Sequence, residues 1–366
     1  MFEKIFPEDE MTKRERIERA LNLKSTDRVP LHDQLSYNPG VISMYTGKPV
    51  IGFNYTLKDI GDTISQTLDS CFMASAPLGT GVYVDEYGFK YKNDNWTSWH
   101  VSRPFSDEHG AKDWLCRRIQ QERQYQAEFD ADAFRASYRE YMGFLQNLAG
   151  ETVIIDFSVG TGFCGVFDKM GLEIYTFFQL EYPDILTEFM EASTANAILK
   201  VHAAADPGLS PVVLIAEDFA TKQGPIFSPA FLKTYHYPYV KRLAKAWKDH
   251  GLKVLYHSDG NYKRCIPDLI ECGADGFYCL EPNCGMDIVE LKNLYPQMVW
   301  SGGVDGVNLL ERGTPEQVRA EVRRQILKTN ALNTGGMLVA SSSEINPSVQ
   351  PENFRAMVEA AGSVRR

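Results

Sequence analysis

Short runs of apolar residues recur along the chain, and each stops at polar or small residues. They are VPLHDQ (29–34), DSCFMASAP (69–77), TVIIDFSVG (152–160), PVVLIAEDF (211–219), KVLYHSDG (253–260), DGFYCLEP (275–282), MVWSGGVD (298–305) and GMLVASSSE (336–344), eight in all. Near-continuous runs of this length read as strands buried on both faces. Helical patterns lie between most of them, including 228–251 and 263–273, each stopped by a glycine, and 314–330. Strands alternating with helices predict a parallel sheet, and eight units predict a closed (β/α)8 TIM barrel; an open doubly wound sheet is the structural alternative. An N-terminal helical segment, MTKRERIERALNLKSTDRVP, precedes the first strand with Ile17, Ala20 and Leu21 on one face. Residues 80–105 break the rhythm with alternating aromatic and polar positions, which predicts a small antiparallel β excursion beside the barrel, within one domain of 1–366.

Composition narrows the function. A chain of 366 residues with 44% hydrophobic content can bury a large core, and a net charge of −10 argues against nucleic acid, whose phosphates need a basic surface. Seven cysteines without a compact spacing framework fit a reducing compartment. The first residues lack the apolar core of a signal peptide, and no apolar run reaches the length needed to span a bilayer. The expectation is a soluble cytoplasmic protein acting on a small molecule, with no membrane partner. A homodimer would need an apolar strip on the barrel exterior.

In such a barrel the active site is built from the C-terminal strand ends and the loops after them. This rule singles out His32 and Asp33, Asp156, Glu217 and Asp218, His257 and Asp259, Cys279 and Glu281, Asp305, and Glu344. Glu217, His257 and Cys279 end three successive strands, so a carboxylate, an imidazole and a thiolate can converge on one metal ion. One oxygen, one nitrogen and one sulfur donor suit zinc and leave a position open for substrate. Asp259 either replaces one of them or orients His257. The plainer alternative makes the histidine hydrogen-bonded structure and the cysteine core filler.

Other residues rank lower. Cys71, Cys116, Cys164, Cys265 and Cys272 have no partner at ligand spacing and are assigned to the core or to helix faces, and His236 and His250 to packing or surface. GTGFCG (160–165) has glycines to cradle a phosphate but lacks the Lys-Ser/Thr ending of a P-loop, so it reads as a tight loop turning Phe163 to the cavity. Aromatic residues crowd the same loops. Phe157, Phe163, Phe219 and Tyr256, with Asp305 as a polar anchor, are candidate substrate-binding residues for a flat apolar ligand.

Several stretches together resemble the uroporphyrinogen decarboxylase superfamily: MTKRERIERALNLKSTDRVP, AEDFATKQGPIFSPAFLKTYHYPYVKRL, HGLKVLYHSDGN, LIECGADGFYCLEPNCGMD, WSGGVD and GGMLVASSSEINPSVQPENFRAM. The resemblance covers most of residues 11 to 362 and implies a (β/α)8 barrel. True decarboxylases of this kind carry Met-Arg-Gln-Ala-Gly-Arg after the first strand, where this chain reads VPLHDQLSYNPG, leaving nothing to neutralise a polycarboxylate porphyrinogen. The other large branch is similar to cobamide-dependent methyltransferases, which hold zinc by His-x-Cys and a later Cys. His257 matches that histidine, while Asp259 stands at the first cysteine position and Ser343 near the second. Carboxylates in place of thiolates leave zinc a stronger Lewis acid, suited to a methyl ether rather than a thiol.

The resemblance therefore implies an O-demethylase methyltransferase. In that reading zinc sits on Glu217, His257 and Cys279, a small methoxylated aromatic compound gives up its methyl group, and the cobalt of a corrinoid (cobamide) on a partner protein receives it. Asp259, Asp218 or Glu344 supplies the proton to the departing oxygen. Two readings of other classes are a metal-independent decarboxylase or lyase using Asp259 or Asp305 as an acid, and a non-catalytic small-ligand binding protein.

Overall fold

The fold is taken from a computed structural model, which describes residues 6–35, 38–72, 76–155 and 159–366. Eight parallel strands carry it: β1 His32–Gln34, β2 Ser70–Phe72, β3 Val153–Ile154, β4 Val212–Ala216, β5 Lys253–His257, β6 Gly276–Tyr278, β7 Val299–Val304 and β8 Met337–Ser341. Ladders join β1 to β2 to β3 and run unbroken from β4 through β8. A parallel bridge from Leu31 to Val339 links β8 back to β1. Val153 and Ile155 meet Val212 and Leu214 in one interior cluster, which ties β3 to β4. The arrangement is the (β/α)8 barrel the apolar runs predict.

Period-2 alternation decides which side chains fill the barrel. Leu214 and Ala216 of β4, Leu255 of β5, Tyr278 of β6 and Leu338 and Ala340 of β8 belong to the interior cluster. Val213, Ile215, Val254, Tyr256, Phe277 and Val339, at the intervening positions, pack outward against the helices. The N-terminal helix, Lys13–Leu21, closes the barrel's N-terminal end, where Ile17, Ala20 and Leu21 join the interior cluster. Burying an Ile or a Leu side chain in this way contributes on the order of 1.5–3 kcal/mol.

The same end holds a buried ion network. Arg16 pairs with Asp9, Asp27 and Asp69, and Arg28 with Asp9 and Asp69, at 2.6–2.9 Å. Burial alone would raise the Asp69 carboxyl, but the Arg28 and Arg16 guanidiniums outweigh it and hold it below the usual carboxylate range.

The excursion is a three-stranded antiparallel sheet, Thr80–Val84, Lys90–Asp94 and Thr97–Ser102. The helical stretch over 228–251 is divided at His236 into Pro229–Tyr235 and Tyr237–Asp249. Among the described residues no helix is long and apolar enough to cross a membrane.

Candidate metal centre at the barrel rim

The C-terminal ends of β4, β5 and β6 lie side by side, with His257 in register with Ala216 on one neighbour and Tyr278 on the other. His257 falls two residues after the inward-facing Leu255, so its imidazole points to the barrel axis, where it lies against the Tyr278 ring at 5.4 Å. After β5 the chain turns sharply through Asp259 and Gly260. Gly260 has φ +78°, and a Cβ there would lie 2.7 Å from the carbonyl oxygens of Ala220 and Thr221. Only glycine lets the turn pass beneath that loop, and the turn brings Asp259 back over the rim.

Ligand atoms of His257, Asp259 and Cys279 all lie within 4.8 Å of one another. The Cys279 thiol donates to Asp259 Oδ1 at 3.0 Å, and that oxygen is 3.8 Å from His257 Nε2. Asp218 completes the rim: its Oδ1 is 3.3 Å from His257 Nε2 and accepts the Asp259 backbone N–H at 2.8 Å. Glu281 accepts the Gly260 N–H at 2.5 Å. His257 Nδ1 is buried and has no hydrogen-bond partner among the described residues.

Electrostatics follow from this crowding of acids. Burial opposes the His257 imidazolium, but Asp218, Asp259 and Glu281 outweigh it and raise its pKa. Burial, then the neighbouring Asp259, pushes the Cys279 thiol well up. Desolvation by the protein packed beneath them raises Glu281 and, although its side chain reaches solvent, Asp259, and nearby carboxylates add to it. Asp218 is held low, because its hydrogen bond to His257 and the charge there overcome burial. A soft sulfur, an imidazole and a hard oxygen gathered among several carboxyls form a donor set that fits zinc, and a divalent cation would offset the negative charge crowded there.

The structure does not bring Glu217 into this group, which corrects its assignment as a ligand. Glu217 follows the inward-facing Ala216 and therefore points outward, where it is 2% exposed and bonded to Thr161 and Cys164. Asp259 takes the place expected for it. Glu344 is half-buried, accepts from Ser343 Oγ at 2.7 Å, and is close enough to raise the Asp259 carboxyl.

The candidate substrate residues fare differently. Phe163, Phe219 and Tyr256 do not line the rim; they pack around the buried His236 between strands and helices, with Tyr256 Oη 2.7 Å from His236 Nε2. Asp305 accepts from Val307 N and Asn308 N and caps the 306–311 helix, a structural use of its carboxylate. Phe157 and Asp156 lie outside the described residues. The ring beside His257 is Tyr278, with Phe72 and His32 packed behind it at centroid distances of 4.8–5.4 Å. His32 was within reach of sequence reasoning as a strand-end residue, and Phe72 and Tyr278 share the inward parity.

All seven cysteines are free. Cys71, Cys265 and Cys272 are buried as core residues, whereas Cys164 sits at the rim, its thiol 3.3 Å from the Asp218 carbonyl. A second group, Glu108, His109 and Glu181, is largely exposed, and His109 Nδ1 is already bonded to Tyr182 Oη.

The fold and the rim define a (β/α)8 barrel protein with a candidate metal centre at its C-terminal end. The chain belongs to the uroporphyrinogen decarboxylase (URO-D) family, which matches residues 168–364. It superposes on a methyltransferase from Methanosarcina mazei with a TM-score of 0.66 and 17% identity, over 96% of this chain and 98% of that one. A sugar phosphate isomerase/epimerase from Parabacteroides distasonis aligns at 12% identity over 61% of this chain and 73% of that one, with a TM-score of 0.29. No curated protein matches the chain.

Proposed function

We propose that this protein is a methyltransferase that removes the methyl group from a small methoxylated compound and passes it to the cobalt of a corrinoid held by a separate protein. The observation that carries this reading is the His257–Asp259–Cys279 group on the barrel rim. Family membership supports it, as does the superposition on a protein named as a methyltransferase. Among the described residues no arginine or lysine pairs with Asp218, Asp259, Glu281 or Glu344, which weighs against a polycarboxylate substrate.

His257, Asp259 and Cys279 would hold the zinc ion, whose contribution when bound is Lewis acidity toward an ether oxygen. A corrinoid cobalt on the partner protein would supply the nucleophile for the methyl carbon, with the ether oxygen as the leaving group. The residues of this chain do the rest. Tyr278, buried against Phe72 in the barrel interior, backs the His257 imidazole from below. Asp218, 3.3 Å from His257 Nε2, adds negative charge beside the imidazole and holds Asp259 through its backbone N–H. The departing oxygen needs one proton, and the carboxyls gathered around the rim are Asp218, Asp259, Glu281 and Glu344.

The test is zinc content of the purified protein together with demethylation of methoxyarenes by added cobalt(I) corrinoid protein. Expected results are close to one zinc per chain, lost in His257→Ala and Cys279→Ala, and methylated corrinoid only with wild type. A metal-free wild type that turns over a carboxylated substrate would replace this reading with a lyase.

A further inference from the structure

We infer that Glu217 is a positioning residue: its carboxylate clamps the 160–165 loop and, through Asp218, fixes the orientation of His257 and Asp259. The helix Phe163–Met170 begins at Gly162, which has no side chain to cap its free amides. Glu217, arriving from the end of β4, supplies the missing cap. Its carboxylate accepts Thr161 N at 2.9 Å, Cys164 N at 2.7 Å and the Thr161 hydroxyl in a short hydrogen bond. Glycine is required at 162, where φ is +91° and a Cβ would lie 2.5 Å from Ser193 Oγ, while a Cβ on Gly160 would meet Glu217 Oε1 at an ordinary 3.5 Å contact. The stretch that looked able to cradle a phosphate is filled by the chain's own carboxylate.

The clamp is wired to the rim on both sides. Glu217 N donates to the His257 carbonyl at 3.0 Å, and the Cys164 thiol donates to the Asp218 carbonyl. Asp218, held between them, presents one oxygen to both His257 Nε2 and Asp259 N. Releasing the 160–165 loop therefore frees the segment that sets two of the three donor residues.

Although this rim is the one proposed above as a metal centre, the clamp is testable without metal, so the two ideas can fail separately. Glu217→Gln keeps the shape but turns an amide NH2 toward backbone donors, costing a charged hydrogen bond. Hydrogen exchange followed by mass spectrometry on the metal-free protein should accelerate by about tenfold or more, both in 159–167 and in 257–261. Peptides covering β7 and β8 should be unchanged. Thr161→Val removes one donor of three and should give the same pattern with smaller amplitude, which guards against Glu217→Gln merely misfolding. In the cobalt(II)-substituted protein, Glu217→Gln should keep the wild-type stoichiometry with shifted d–d absorption bands. Unchanged exchange in 257–261 would reduce the clamp to a local cap and overturn the inference. Loss of cobalt in Glu217→Gln, equal to that in His257→Ala, would overturn it in the other direction by making Glu217 a ligand.

Discussion

The two ends of the barrel use the same residue type in opposite ways. At the N-terminal end, Asp69 and Asp27 are buried against Arg16 and Arg28, with every pair within 2.7 Å. At the C-terminal end, Asp218 and Asp259 are 50% and 59% exposed and gather around one imidazole, with no arginine or lysine paired to them among the described residues. Matched charges at the base fix the fold, while unmatched ones at the rim leave negative potential for something to neutralise.

The widest contrast is in stability. Asp69→Ala strands two buried guanidiniums and should cost about 3–5 kcal/mol in denaturant unfolding, with metal binding by the folded fraction intact. His257→Ala and Cys279→Ala should do the reverse, with zinc affinity by competition titration falling by more than roughly 100-fold, beyond what removal of an outer partner costs. Asp218→Asn keeps the oxygen that receives the Asp259 amide and loses only the charge beside His257. It should therefore weaken zinc by about 10–100-fold, with the melting temperature of the metal-free protein almost unmoved. If Asp218→Asn instead unfolds the protein, the division of labour between the ends is wrong.

The finest distinction is in pH dependence. Asp69 has a depressed folded value, so its contribution is complete above the ordinary carboxylate pKa of about 3.9 and is lost as pH falls through the folded value. Asp33, buried at the rim end of β1 and bonded to Ser341, is pushed up to about 7, chiefly by burial. Its sign is opposite: the penalty for ionising it inside the fold grows as pH rises from about 3.9 toward 7. Metal-free protein should gain stability up to about pH 4 and lose some of it between about pH 4 and 7. Asp33→Asn should flatten the second limb alone in unfolding titrations.

The barrel was legible because its strands are apolar runs ended by polar residues, and the same runs put His257 and Cys279 at neighbouring strand ends. Choosing Glu217 over its neighbour Asp218 overlooked a signal that was present. Leu214 and Ala216 point inward, so the next inward position is Asp218 and Glu217 must face the helices. The same parity places Tyr256 outward with Val254. Asp305 followed by Gly-Val-Asn was readable as a helix cap. What no pattern contained is the fold-back of Asp259 over Cys279, because it depends on how tightly the turn at Gly260 passes the 220–221 carbonyls. The clustering of Phe163 and Phe219 on His236 was equally hidden, since it joins a loop, a strand end and a helix break far apart in sequence.

The helix Lys13–Leu21 that plugs the base has a consequence for traffic. The barrel above it is filled by its own side chains, so the open strand ends at the rim are the one place that a small molecule and a large partner would have to share. Under the proposed methyl transfer, the small molecule would have to enter before the partner docks, and its product would leave only after that partner has stepped away.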